Sequence, residues 1–185
     1  LGIRRSRYAS EYFDTDDLLC YKMALQKSRR RFKVRRRTYV DSDQTFLEVK
    51  RKSRLGTDKY RVPCALADAR PDNPAVYDFL QEHLPKGLHP QDLHSSLNVN
   101  YRRTTLVGFD IERTVRLVGN AAAFEGVTEE VPFRVTFDEE LAWGFRDGGQ
   151  LQARKMFIVE TKTSGQLSSV NQWLWAHSYR PMAVS

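Results

Sequence analysis

The feature that most constrains this chain is a charged pattern with the period of a β-strand. The stretch FKVRRRTY, residues 32–39, places Lys33, Arg35 and Arg37 on one face and Val34 on the other, because successive side chains of a strand point to opposite faces. A solvated basic tail seldom interleaves Phe, Val and Tyr in this way. The alternation therefore predicts a strand with one basic face.

The same alternation recurs along the chain and gives at least seven strand candidates. In several of them Arg or Lys lies two positions from Glu, Lys, Arg or Tyr, opposite a strongly apolar face. One such strand is more often a solvated sheet surface than a site, but the repetition favours a shared charged surface. The further candidates are RYASEYFDT, TFLEVKRK, SLNVNYRRT, FDIERTVRL, VPFRVTFD and KMFIVETK.

Helices are fewer than strands. The sequence DNPAVYDFLQEHL predicts a helix with Asn73 as N-cap and Pro74 at its first position. A second helix is predicted over residues 168–177 and a short one over residues 16–25. Residues 119–130, which are rich in Ala, Gly and acidic side chains, are predicted to form an exposed loop.

Composition and charge bound the partners. The 185 residues, 41% of them hydrophobic, can bury one sizeable core, so a single domain is expected. Residues 1–62 hold 18 Lys and Arg against 8 Asp and Glu, whereas the remainder holds 12 against 15. This asymmetry predicts a polyanionic partner such as nucleic acid, a membrane surface or polyphosphate.

Other site classes find little support in the sequence. Two distant cysteines and four histidines without zinc-ligand spacing argue against a disulfide framework or a structural zinc, and indicate a cytoplasmic setting. No apolar run approaches the roughly eighteen residues of a membrane span.

The charged faces make chemical sense if the sheet closes into a barrel with these faces inward. The centre would then be a tunnel lined with Arg and Lys, whose side chains bind phosphate oxygens. Glu48 and Glu160 are out of place as phosphate ligands, but carboxylates suit Mg²⁺ or Mn²⁺ ions that bridge to phosphate.

The ordered set YFDTDDLLCY, RFKVRRRTY, FLEVKRK, VNYRRT, FRVTFD and IVETKTSG resembles the VTC domain. This is the polyphosphate polymerase domain of the vacuolar transporter chaperone type, and it belongs to the triphosphate tunnel metalloenzymes, or CYTH superfamily. The resemblance covers nearly the whole chain. It implies a single VTC-like domain over residues 1–185 with an α+β fold, a closed antiparallel eight-stranded β-tunnel with a few helices packed outside.

The resemblance also implies the site. Glu160 is the expected ligand of Mn²⁺ or Mg²⁺, with Glu48 as its candidate companion, and Asp138 ends the R-x-T-x-D strand. The E-x-K motif falls on Glu48 and Lys50, and either Lys52 or Lys59 is a further basic candidate for binding phosphate. The implied phosphate-binding residues are Arg35, Arg37, Lys50, Lys52, Lys59, Tyr101, Arg103, Arg134 and Lys162.

Two features of the family are absent from the sequence. A first strand with E-x-K-type residues and a closing S-K-Y segment are expected before and after the matched region. Either these segments lie outside the 185 residues or the tunnel is incomplete.

The function implied by the resemblance is transfer of the γ-phosphoryl of ATP or another nucleoside triphosphate onto a polyphosphate chain. A tunnel triphosphatase, with water as the attacking group, is one alternative. A non-catalytic module that binds polyphosphate or nucleic acid is another, but a nucleic-acid groove gains nothing from Glu48 and Glu160, which disfavours nucleic acid.

Overall fold

The computed structural model describes residues 2–54, 56–118, 123–163 and 167–182, without the side chains of 112–118 and 123–127. Within these residues the chain forms an eight-stranded antiparallel sheet and three α-helices. The strands are β1 Gly2–Asp14, β2 Phe32–Tyr39, β3 Gln44–Lys52, β4 Thr57–Cys64, β5 His94–Val118, β6 Ala123–Phe145, β7 Gln150–Gln152 and β8 Ile158–Thr163. The helices are α1 Leu19–Leu25, α2 Pro74–His83 and α3 Ser169–Ala176.

The order of the strands in the sheet is β4-β3-β2-β1-β5-β6-β7, and β8 pairs with β6 beside this path. The predicted α+β class and the antiparallel eight-stranded sheet are thus confirmed. Closure of the sheet into a tunnel stays a prediction. None of the helices in the described ranges is long and apolar enough to cross a membrane.

The chain divides into two compact units. The larger unit comprises residues 6–102 and 139–156, and the smaller unit contains the described parts of residues 1–5, 103–138 and 157–184. Strands β2 to β4 and helices α1 and α2 belong to the larger unit, whereas β8 and α3 belong to the smaller one.

The core of the larger unit lies on one face of strands β1 to β4. Helices α1 and α2 cover this face, because their apolar side chains and those of the strands form one buried cluster. The alternation predicted for β2 and β3 accounts for it, since every second residue supplies an apolar side chain. The members of the cluster are Phe13, Cys20, Phe32, Val34, Leu47, Val49, Val76, Leu80, Leu84, Leu88 and Leu93.

Helix α2 begins as predicted. The Asn73 side chain accepts a hydrogen bond from the Ala75 amide at 2.8 Å, and Pro74 occupies the first turn, where its missing N–H costs nothing. Val76 and Leu80 then bury the apolar stripe of the helix. Helix α3 also matches its prediction to within one residue at each end.

Helix α1 begins later than predicted, at Leu19 rather than at Asp16. Leu18 lies in the left-handed region with φ of 59°, which ends a turn before the helix. The buried Asp14 carboxylate organises this start, since it accepts hydrogen bonds from the amides of Thr15, Cys20 and Tyr21 at 2.8, 2.7 and 3.0 Å. Donors at a helix start have no intrahelical partner, so a carboxylate there is stabilising.

The predicted loop over residues 119–130 is wrong for residues 123–130, which are the start of β6; residues 119–122 lie outside the described part. Likewise SLNVNYRRT and FDIERTVRL are one strand of 25 residues, β5, rather than two. The alternation continues through Gly108 without a turn, and long pairing in the sheet outweighs the weak strand preference of Gly and acidic residues.

The smaller unit is held together by strand pairing and by a helix anchor. Residues Phe133 to Asp138 of β6 pair with Thr163 to Ile158 of β8. The Asp110 carboxylate of β5 accepts hydrogen bonds from the Ser169 amide at 3.0 Å and from the Ser169 hydroxyl at 2.5 Å. An acceptor at the first turn of α3 satisfies donors that the helix leaves unpaired.

Candidate functional site

The larger unit carries a basic face on the side of the sheet opposite its core. Residues directly opposite each other on paired strands share a face, so the register identifies the members of this face. Lys33, Lys50 and Lys59 form one row across β2, β3 and β4. Arg35 lies opposite Glu48 in the next row. The predicted face of β2 is therefore continued by two neighbouring strands.

An ion-pair cluster around one buried carboxylate lies in the middle of this face. Glu48 is 0% exposed, and its Oε2 accepts a hydrogen bond from Arg35 Nε at 2.7 Å and lies 2.6 Å from Arg35 Nη2. Lys59 Nζ lies 2.6 Å from the other carboxylate oxygen, Oε1. The Tyr12 hydroxyl accepts a hydrogen bond from Arg35 Nη1 at 3.2 Å. Both oxygens of Glu48 are thus engaged by cations.

The charges of the cluster determine its protonation states. Burial alone would raise the pKa of the Glu48 carboxyl, but the Arg35 charge and the hydrogen bonds from Lys59 and Arg35 lower this pKa below its usual value. Glu48 is therefore ionised. Burial and the nearby charges of Arg35 and Arg37 lower the pKa of Lys50 to about 8.

A cavity of about 220 Å³ opens on this face. Five of its lining residues are basic, and Glu48 is not among the residues that line it. So much like charge around one cavity is unfavourable unless an anion enters, and guanidinium and ammonium groups are the protein ligands of phosphate. The lining residues are Tyr12, Arg31, Phe32, Lys33, Arg35, Lys50, Lys52 and Thr57.

An aromatic group borders the cations. The guanidinium carbon of Arg37 lies 5.5 Å from the centre of the Tyr8 ring, and Arg37 Nε donates to the Ser10 hydroxyl at 3.4 Å. Tyr8 stacks on the predicted Tyr101 with ring centres 5.1 Å apart. Tyr101 is 9% exposed, so it supports Tyr8 and, through it, Arg37.

The smaller unit holds its own charged group. Arg103 donates to both oxygens of Asp138, from Nε and Nη2, each at 2.6 Å. In the pairing of β6 with β8, Arg134 lies opposite Lys162 and Thr136 lies opposite Glu160. Since these pairs share a face with Asp138, the predicted residues of this unit also lie on one surface.

Glu160 and Glu48 differ as candidate metal ligands. Glu48 does not fit, because both of its oxygens contact cations that would repel a divalent ion.

Glu160 does fit as a metal ligand. Its only described cation contact is Lys162 at 3.2 Å, and its side chain is 48% exposed. The buried hydroxyl of Thr136, which lies opposite, has no hydrogen-bond partner in the described structure. Carboxylate and hydroxyl oxygens suit Mg²⁺ or Mn²⁺. Among the described residues no three His, Cys, Asp or Glu side chains cluster as a complete metal site.

The predicted residues thus fall into two groups, one in each unit. Arg35, Arg37, Lys50, Lys52, Lys59, Tyr101 and Glu48 belong to the larger unit, and Arg103, Arg134, Glu160 and Lys162 belong to the smaller. The structure does not require a choice between Lys52 and Lys59, because Lys52 lines the cavity and Lys59 pairs with Glu48.

Sequence reasoning missed Tyr12, Arg31 and Thr136. Tyr12 is the partner of Arg35 in the pairing of β1 with β2, and the alternation of RYASEYFDT would have placed it on the charged face. Arg31 directly precedes β2 and was not among the predicted site residues, but it lines the cavity and donates from Nη1 to the Ser28 carbonyl at 3.0 Å. The sequence carried no comparable signal for the orphaned hydroxyl of Thr136.

Comparison with known proteins places this arrangement in a family. The family described as VTC domain matches residues 2–185. The chain belongs to the VTC domain family. The resemblance inferred from the ordered motifs is therefore confirmed, and it extends over nearly the whole chain.

The fold of this VTC domain is similar to solved structures as well. Thirteen solved chains match, among them a crystal structure from Bacillus halodurans described as a "putative adenylate cyclase". That match has a TM-score of 0.53 and 11% sequence identity, and it covers 98% of this chain and 79% of the other. At this identity the similarity shows a shared fold. A search of curated protein sequences found no match to this chain.

Proposed function

We propose that this VTC domain is a metal-dependent phosphotransferase that moves the γ-phosphoryl of a nucleoside triphosphate onto a polyphosphate chain. The observation that carries the proposal is the cavity of the larger unit with its five basic lining residues. Membership of the VTC family supports it, since the family implies triphosphate and polyphosphate ligands. The closed tunnel and the transfer reaction are parts of the proposal.

Catalysis of phosphoryl transfer requires chiefly that the reactants are positioned and that their negative charge is neutralised. Phosphoryl transfer passes through a loose transition state whose charge is spread over the phosphoryl oxygens. Arg35 offers oriented N–H donors and Lys50 a point charge at the cavity wall. The terminal phosphate of the acceptor chain is itself the nucleophile: a new phosphoanhydride bond forms to the γ-phosphorus, the bond between the β- and γ-phosphates breaks, and the nucleoside diphosphate leaves. No Ser, Cys or His base is therefore needed.

When bound, a divalent metal ion would supply positive charge that offsets the negative charge of the phosphate chain. Glu160 is the residue we assign to hold it, with the Thr136 hydroxyl opposite as a further oxygen donor. Arg103 is held by Asp138 through two hydrogen bonds of 2.6 Å. A guanidinium fixed in this way keeps one orientation, so less side-chain entropy is lost when a phosphate contacts it.

The test is incubation of the purified protein with γ-labelled ATP and Mn²⁺, with products separated by length on a gel. Label in chains of many phosphates supports the proposal. Release of labelled orthophosphate alone indicates a triphosphatase instead. Neither product, together with no binding of tripolyphosphate, would show that the proposal is wrong.

A pair of variants ties the result to the cavity. Lys50→Gln removes one charge from the cavity wall and should lower turnover about tenfold or more, the effect of losing one phosphate contact of about 1.4 kcal/mol. Lys22→Gln makes the same change of charge on α1, which covers the opposite, apolar face of the sheet. Equal activity losses in both variants would point to net charge rather than to the cavity.

A further inference from the structure

Glu48 occupies a position that its sequence motif does not explain. It lies in an E-x-K strand, as Glu160 does, yet it is completely buried and does not line the cavity. Both of its oxygens are engaged by cations, Arg35 at Oε2 and Lys59 at Oε1. Burial of an ionised carboxylate costs free energy unless cations compensate its charge. The role of Glu48 is therefore to be found in its two cationic partners.

Arg35 is the partner through which Glu48 reaches the cavity. Glu48 contacts the Nε and Nη2 side of the guanidinium, and Tyr12 accepts from Nη1 at 3.2 Å. A guanidinium carries five N–H groups, so the outer edge formed by Nη1 and Nη2 retains donors. Arg35 lines the cavity, and its buried Nη2 meets no full hydrogen-bond acceptor in the described structure, so a phosphate that enters the cavity can complete the donors of this guanidinium.

Lys59 is held by the same carboxylate. It lies directly opposite Lys50 in the row of three lysines, where like charges repel. The contact of its Nζ with Glu48 Oε1 draws this ammonium toward the carboxylate. One buried carboxylate thus fixes two cations and relieves repulsion between two lysines.

We propose that Glu48 is a positioning residue for the phosphate ligand, which orients Arg35 and Lys59, and that it does not bind the metal. The proposal rests on the proposed phosphate-binding function of this face. It assigns different tasks to the two E-x-K strands: that of β3 shapes the phosphate wall, and that of β8 supplies the metal ligand.

Three models of Glu48 predict different signs in one measurement, the affinity for tripolyphosphate with EDTA present. If Glu48 positions Arg35, then Glu48→Gln binds about tenfold more weakly, although the variant is more positive by one charge. If Glu48 contributed only its charge, the variant would bind more tightly. If Glu48 were a metal ligand, the metal-free affinity would not change. Isothermal titration calorimetry measures this constant.

Val49→Ala is the matched control, since Val49 is the next residue of β3, equally buried, and points to the core instead. It should lower the midpoint of unfolding and leave tripolyphosphate affinity unchanged. If Val49→Ala weakens binding as much as Glu48→Gln does, the effect is structural and the positioning role is overturned. Should Glu48→Gln fail to fold, Glu48→Asp replaces it: the charge is kept but the carboxylate is withdrawn, so weaker metal-free binding is again expected, and unchanged binding overturns the proposal.

The wild-type protein separates this inference from the function on which it rests. Absence of tripolyphosphate binding by the wild type, with EDTA and with Mn²⁺, overturns both. Wild-type binding together with unchanged or tighter binding by Glu48→Gln overturns the positioning role alone. If Glu48→Gln weakens tripolyphosphate binding only when Mn²⁺ is present, Glu48 is a metal ligand, and the positioning role is likewise overturned.

Discussion

Two strands of this protein carry the same E-x-K signature and give it opposite surroundings. In β3, Glu48 is 0% exposed and contacts two cations, and its companion Lys50 is half-buried. In β8 the side chains of Glu160 and Lys162 are 48% and 55% exposed and pair with each other at 3.2 Å. The motif alone therefore does not define a role. Strand β3 lies between β2 and β4, whose cations surround the glutamate, whereas β8 pairs with β6.

The largest difference is expected in stability. Glu48→Ala leaves the buried Arg35 without its carboxylate and should cost about 3–5 kcal/mol of unfolding free energy. Glu160→Ala removes an exposed pair and should cost no more than about 1 kcal/mol. Urea titration of both variants measures the two values. Similar costs would remove the contrast between the strands.

In the metal requirement for turnover, a change at Glu160 should have the larger effect and a change at Glu48 the smaller one. If the proposed assignment holds, Glu160→Gln raises the Mn²⁺ concentration for half-maximal turnover by about tenfold or more, by analogy with the losses that follow changes around bound metals. Metal-free tripolyphosphate affinity should stay at the wild-type value. Asp147→Gln, in the turn before β7, is a control for loss of one acidic charge. An unchanged Mn²⁺ requirement in Glu160→Gln would contradict the assignment.

The pH dependence of phosphate binding should reveal Lys50. Its pKa of about 8 means that the ammonium loses its proton as the pH rises through 8, and with it one attraction for the ligand. Tripolyphosphate affinity should therefore fall by several-fold between pH 7 and 9, on the order of the loss of one charged contact. Lys50→Gln should flatten this step and Lys162→Gln should not. An equal step in Lys50→Gln would assign the titration to another group.

The same pKa affects stability with a definite sign. Between about pH 8 and 10.5 the unfolded chain keeps the proton on Lys50 and the folded chain does not. Stability rises with pH wherever the unfolded state binds more protons. This contribution of Lys50 should therefore increase the unfolding free energy as the pH rises through that window. Comparison of wild type with Lys50→Gln by urea titration at pH 7.5 and 9.5 isolates it.

The smallest effect is expected from the exposed pair. Lys162→Gln breaks the one ion pair that Lys162 makes within the described residues, with Glu160, so its unfolding free energy should lie within about 1 kcal/mol of the wild type. High salt should remove the difference, because exposed pairs are screened. A loss of several kcal/mol would mean that β8 is as tightly constrained as β3.

The faces of the strands could be predicted from the sequence, because alternation with period two is a local property. It correctly placed Lys33, Arg35 and Arg37 on one face of β2, and the cap of α2 was equally visible in Asn73 and Pro74. The length of β5 was not visible, since Gly108 and acidic residues weaken the local strand signal while pairing with neighbours maintains the strand.

The surroundings of Glu48 could not be predicted, because they depend on register between strands. Arg35 is 13 residues away in the sequence and Lys59 is 11 residues ahead on the next strand. A shift of one residue in either pairing would turn these side chains to the other face. The structure supplies this register, and the contacts with Arg35 and Lys59 that follow from it are the basis of the positioning role that we propose for Glu48.

The row formed by Lys33, Lys50 and Lys59 has a consequence for handling the protein. Like charges opposite one another on three strands oppose folding, so an anion that binds only the folded state offsets part of that cost. At a hundred times its dissociation constant such a ligand adds about 2.7 kcal/mol. The melting temperature should therefore rise with the concentration of condensed phosphate in the buffer. Condensed phosphate that stays bound during purification should likewise make the protein more resistant to proteolysis.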